Sequence, residues 1–242
     1  MSQKALDQRK GIPDLVFLLD ATGSMTTCLG AIAQNISSFI DSLANPDANG
    51  GVLVRDWRIR VVGYRDKDWD GPSWLVDNLF SADAGQVKGH LLALEPKGGH
   101  DEPESLLDAL YEITQWPTSD KGAAPSPNAW RHRHDASRVV VVFTDASCKL
   151  SFKQSDGTAG GVTDLINLCQ AARLKVILFA PDAPSYGELT IMSGLEWEIV
   201  GTLDSKPQQA LADYSANQSN FKKVMDQLAK TVAISSVVET VS

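Results

Sequence analysis

The sequence predicts an α/β protein: a doubly wound, mostly parallel central sheet flanked by helices, Rossmann-like in layout, with one antiparallel edge strand. Three apolar runs and the stripes between them carry that reading. Residues 15–19, 139–143 and 176–180 are hydrophobic without alternation, as strands covered on both faces must be. Between the runs the apolar spacing changes to three and four: Ile32, Ile36, Phe39, Ile40 and Leu43, then Leu106, Leu110 and Ile113, then Leu165, Leu168 and Ala172. Each stripe predicts a helix with one face on the sheet.

The remaining elements follow in order. Residues 59–63 and 75–80 read as strands, the second antiparallel at an edge, and 197–201 closes the strand series. A last helix is expected over 220–234, with Phe221, Val224, Met225, Leu228 and Val232 on one stripe. Segments 45–51, 117–135 and 151–161 are rich in Gly, Pro or polar residues and read as loops. No repeat and no second core is visible. The division is therefore a polar lead over 1–13, one domain over 14–234 and a tail over 235–242.

Composition narrows the function classes. Across 242 residues, 22 basic side chains face 30 acidic ones, a net charge of −8, which opposes binding to nucleic acid or to an anionic membrane. No apolar run approaches the ~20 residues that cross a bilayer. Cys28, Cys148 and Cys169 show no C-x-x-C spacing and cannot all pair within the chain. Reduced thiols and a cytoplasmic setting are expected.

The chemistry concentrates in Asp20-Ala21-Thr22-Gly23-Ser24-Met25, at the carboxyl end of the first buried strand, where ligands bind in open α/β sheets. A tight turn there can aim one carboxylate and two hydroxyls at one point. Hard oxygen donors of this kind select magnesium, manganese or calcium over zinc. The plain alternative is that Thr22 or Ser24 caps the next helix. Two further acids fall where the chain should return to the same edge: Asp145, after residues 139–143, and Asp101, in Gly98-Gly99-His100-Asp101-Glu102-Pro103-Glu104. Capping would explain either acid alone: Asp101 the helix that follows, with Pro103 in its first turn and Glu104 favoured by its dipole, and Asp145 a turn. Three converging acids would repel one another unless a cation is bound.

With those residues in hand, the sequence resembles a von Willebrand factor type A (vWA) domain carrying a metal-ion-dependent adhesion site (MIDAS). Asp20, Thr22 and Ser24 match its D-x-S/T-x-S motif, and Asp145 matches its late strand-end Asp. Most members supply a loop threonine between these motifs. Here a G-G-x-D-x-P-E segment with Asp101 stands in that place, as in the hemicentin-like and alpha-kinase-linked subset, which Val62-Gly63-Tyr64-Arg65-Asp66 also resembles. The resemblance implies a divalent cation, magnesium first, held by Asp20, Thr22, Ser24, Asp101 and Asp145. It also implies a protein partner whose Asp or Glu completes the coordination, and no catalysis by the chain itself. The partner-binding rim would comprise Tyr64, Arg65, Asp66, Trp69, His100 and Glu102.

Two other readings are weighed against it. In a scaffold subunit of a multi-protein kinase or stress-response system, the metal would be purely structural. A haloacid dehalogenase-like phosphatase also places an Asp after its first strand, but needs a general acid two residues on, where Thr22 stands. No phosphate-binding glycine motif is present. His132 and His134, among Arg131, Arg133 and Asp135, read as a solvated basic loop.

Overall fold

The computed structural model describes residues 12–44, 56–100 and 102–217. Its main sheet has the strand order β3-β2-β1-β4-β7-β8, with β1 (Pro13–Asp20), β2 (Arg58–Tyr64), β3 (Leu75–Asp77), β4 (Ser137–Phe143), β7 (Leu174–Asp182) and β8 (Leu195–Thr202). Every pairing is parallel except β2 with β3. The edge strand foreseen at 75–80 is therefore antiparallel but short. The helices are α1 (Leu29–Ala44), α2 (Ala84–Leu92), α3 (Leu106–Gln115), α4 (Val162–Ala171), α5 (Pro184–Leu189) and α6 (Pro207–Ala216).

The two-residue period of β1 divides the core. Leu15, Phe17 and Leu19 point to one side, where they join Ile32, Ile36 and Ile40 of α1. Val16 and Leu18 point to the other and join Leu106, Leu110 and Ile113 of α3 with Leu165 of α4. Every residue of β1 and β2 is buried, as the unalternating runs require.

Two segments read as loops behave differently. Residues 151–161 contain a small antiparallel hairpin, β5 (Ser151–Lys153) and β6 (Ala159–Gly161). Its Phe152 stacks on Tyr111 of α3, with ring centroids 4.9 Å apart. One buried aromatic between polar neighbours is too short a pattern to mark a strand. Segment 117–135 carries no helix or strand, but it is tied down by a bridge between Thr118 and Trp130. Trp130 is buried, and its indole N–H donates to the Ile113 carbonyl. This segment leads into the start of β4, at the opposite end of the sheet from the candidate site, and His132 and His134 stack there. Pro13, assigned to the lead, is already the first residue of β1. The last helix expected over 220–234 and the tail lie outside the described residues.

Candidate functional site

Register places the motif residues. Asp20 ends β1 opposite Tyr64, and Leu19 lies opposite Phe143, so Thr144 and Asp145 leave β4 beside Asp20. The loop after α2 closes over them: the Lys97 N–H donates to the Ala21 carbonyl at 2.9 Å and the Gly23 N–H to the Gly98 carbonyl at 3.0 Å. Asp70 fixes that loop by accepting from the Gly99 N–H at 2.9 Å. Gly99 sits at φ +63, and a Cβ there would lie 2.7 Å from Thr22 Cγ2 and 2.9 Å from Glu104 Oε1. Gly99→Ala is expected to cost about 1–3 kcal/mol in backbone strain and to displace Thr22. Urea unfolding would read the first effect and cation titration the second.

Asp20 is fully buried. Its Oδ1 accepts from the Thr22 N–H at 2.9 Å and the Thr22 hydroxyl at 2.7 Å, and its Oδ2 accepts from the Thr144 hydroxyl at 2.7 Å. Thr22 stands at the N-cap of a short 3-10 turn, yet its side chain caps nothing. The capping alternative therefore fails for Thr22: its hydroxyl proton goes to Asp20. Ser24 Oγ lies 3.0 Å from Thr22 Oγ1 and donates to Asp145 Oδ1 at 3.1 Å.

Counting protons along this chain of oxygens gives a deficit. Three oxygen–oxygen contacts link Asp20, Thr22, Ser24 and Asp145, while two hydroxyls supply only two protons when both acids are ionised. With Thr22 donating to Asp20 and Ser24 to Asp145, the contact between the hydroxyls has no proton. Among the described residues, Asp145 Oδ2 and Glu104 Oε2 are buried without a close hydrogen-bond partner, although the Gln208 side chain approaches the Asp145 carboxylate from the same cavity. A proton or a cation must balance such a group of oxygens. The acids accordingly hold protons tightly. Burial, then the charge of Asp145, lifts Asp20 to about 7. Burial, then the charges of Asp20, Asp66 and Asp145, lifts Glu104 to about 8. Burial also raises Asp145.

The oxygen spacing fits a small hard cation. Octahedral ligands about 2.1 Å from magnesium stand roughly 3.0 Å from one another, close to the observed 3.0 and 3.1 Å separations at Ser24. The donors are mixed: among the described residues no group of three or more His, Cys, Asp or Glu side chains is arranged to hold a metal ion. Ser24 and Asp145 would hold the cation with Thr22, while Asp20, both of whose oxygens are engaged, would orient the hydroxyls from behind. A cavity of about 370 Å³ opens over Asp145, lined also by Glu104, His100 and Lys206.

Of the remaining expected residues, Asp101 lies outside the described residues. Glu104, three positions on, supplies a buried acid at the site, touching the space beside Thr22 and Gly99. Its signal is the G-G-x-D-x-P-E segment itself, whose final acid lies two residues before α3. Thr144 was also missed, although a hydroxyl next to a strand-end acid is a detectable pattern.

The expected rim needs correction at three positions. Tyr64, Arg65 and Asp66 are buried. Arg65 turns inward and donates to the carbonyls of Ala21 at 3.0 Å, Ser73 at 2.6 Å and Glu95 at 2.8 Å. Asp66 accepts from Lys149 at 2.8 and 2.9 Å. These residues fasten the loops and leave no surface to a partner. Arg65→Met would orphan three carbonyls at once, an expected loss of about 3 kcal/mol or more, measurable by urea unfolding; Arg65→Lys, lacking the planar fork, should not restore it. The other three are exposed. Trp69 is 61% exposed with its ring 4.9 Å from that of His100, while Glu102 accepts from the Ser147 N–H. Cys28, Cys148 and Cys169 are free and buried.

No protein-family model matches the chain, and no curated protein matches it either. Solved structures do. Proximal thread matrix protein 1 from the mussel byssus is 13% identical with a TM-score of 0.55, covering 93% of this chain and 47% of that one. A second crystal form gives 0.54. The pilus adhesin SpaC from Lactobacillus rhamnosus GG is 12% identical with a TM-score of 0.55, covering 93% of this chain and 31% of that one. The chain thus spans less than half the length of these neighbours. At such identity the likeness is one of fold, and it places the strand-end site in an α/β architecture that solved proteins share.

Proposed function

We propose that the chain is a vWA domain acting as a divalent-cation-dependent protein-binding module, without catalysis of its own. The proton deficit among Asp20, Thr22, Ser24 and Asp145 carries this reading: buried oxygens lacking a proton are what a dication satisfies. Magnesium fits best, with manganese or calcium as alternatives, and the ion would attract a carboxylate from a partner's Asp or Glu. Ser24, Asp145 and Thr22 hold it, Asp20 orients the hydroxyls, and Glu104, whose Oε2 has no partner among the described residues, lines the same cavity. Exposed Trp69, His100 and Glu102 would meet the partner. The setting is cytoplasmic, where three free buried thiols remain reduced.

The scaffold reading, with a purely structural metal, draws on the same Glu104: a carboxylate of the chain itself in the last coordination position would leave no place for a partner. A phosphatase gains nothing, since Thr22 spends its proton on Asp20 and cannot act as general acid. Among the described residues no helix is long and apolar enough to cross a membrane. The test is calorimetric titration of chelator-treated protein with magnesium, manganese and calcium. One saturable site is expected, and its absence at millimolar metal would sink the proposal. Partner capture with and without chelator then separates a binding module from a scaffold.

A further inference from the structure

The cavity over Asp145 is lined by two groups of opposite character. One comprises Thr22, Ser24, Glu104 and Asp145, with a buried oxygen lacking a close partner among the described residues on each of the two acids. The other is the start of α6: Lys206, Pro207 and Gln208. Lys206 holds φ 50, a left-handed conformation unusual for a lysine, and this bend starts the ten-residue helix at the cavity wall. No side chain caps the helix, and Pro207 at its first position has no N–H. The positive end of α6 therefore stands at the cavity. Lys206 is exposed and makes no ion pair among the described residues, although Glu102, Glu104 and Asp145 line the same cavity.

We propose that Lys206 and the first turn of α6 form the second half of a carboxylate receptor, binding the oxygen of a partner's Asp or Glu that the cation leaves free. This rests on the cation reading of the site. A carboxylate presents two acceptor oxygens and can engage a cation and an ammonium together, whereas an amide offers one acceptor and turns a donor towards one of the two. Lys206 thereby makes the site select acidic side chains over their amides. It acts only when a partner arrives, in keeping with its making no ion pair among the described residues.

The test uses the full chain, isotope-labelled and saturated with magnesium, titrated with a capped Gly-Asp-Gly tripeptide and its Gly-Asn-Gly counterpart while amide shifts are followed. The wild type is expected to prefer the Asp peptide by about tenfold. Lys206→Met should lose about that factor for the Asp peptide yet bind magnesium as tightly or more so, because a nearby positive charge has gone. Lys206→Arg should keep the preference. A Lys206→Met protein that binds the Asp peptide like the wild type overturns the proposal, as does a magnesium-loaded wild type with no preference for Asp. In both cases bound magnesium leaves the cation reading standing. Failure of magnesium to bind overturns both.

Discussion

Asp145→Asn is expected to weaken divalent-cation binding by about a hundredfold or more while raising the melting temperature of the metal-free protein. Both effects come from one oxygen. Asp145 is 2% exposed; its Oδ1 accepts from Ser24, but its Oδ2 has no close partner among the described residues. Without a cation, that buried charge is a liability, which is why burial raises its pKa. The amide keeps an acceptor for Ser24 and removes the charge, a gain of about 1–2 kcal/mol. With a cation, the same charge is the reason the ion stays. Opposite signs for stability and affinity distinguish a ligand from a structural acid. If Asp145 only held Ser24 in place, the amide would do so as well and the variant would leave cation affinity unchanged. Scanning calorimetry under chelator and titration with magnesium read the two arms on one preparation.

The same duality explains what was legible in the sequence. Strand placement follows from apolar runs, and strand ends follow from the first polar residue after them, so Asp20 and Asp145 could be assigned to one edge of the sheet. Their register, Leu19 opposite Phe143, sets both acids side by side. Beyond the strand ends, direction depends on loops. Tyr64 ends β2 and Arg65 and Asp66 follow it as expected, yet Arg65 finds three carbonyls from three different loops and Asp66 finds Lys149, more than 80 positions later in the chain. Partners so distant leave no local pattern. The hairpin at Phe152 and the role of Glu104 were hidden similarly: each depends on one side chain meeting a surface assembled by the fold. Lys206 lies in a polar stretch whose meaning comes only from where α6 begins.

In metal-free protein, the melting temperature is expected to fall as pH rises from about 5 to 8 and then to level off, the reverse of the trend that salt-bridged acids impose. An unfolded Asp loses its proton near pH 4, whereas folded Asp20 keeps it to about 7 and Glu104 to about 8. Over that interval the folded chain binds more protons than the unfolded one, so raising the pH favours unfolding. For Asp20 alone the effect across this window is about 3 kcal/mol, or roughly 8 °C for a chain of this size, and Glu104 acts in the same direction. Asp68, held at about 2 by Lys149 and Lys153, loses its contribution only at lower pH, outside this window. Saturating magnesium should flatten the profile, because the cation supplies the positive charge that the protons supplied. The corollary is linkage: magnesium must displace those protons, so its affinity should rise at least about tenfold between pH 6 and pH 8. A metal-free melting temperature that is flat or rises across this range would mean that Asp20 and Glu104 are ionised and balanced from within the fold. The deficit of protons at Ser24 would then not call for a cation.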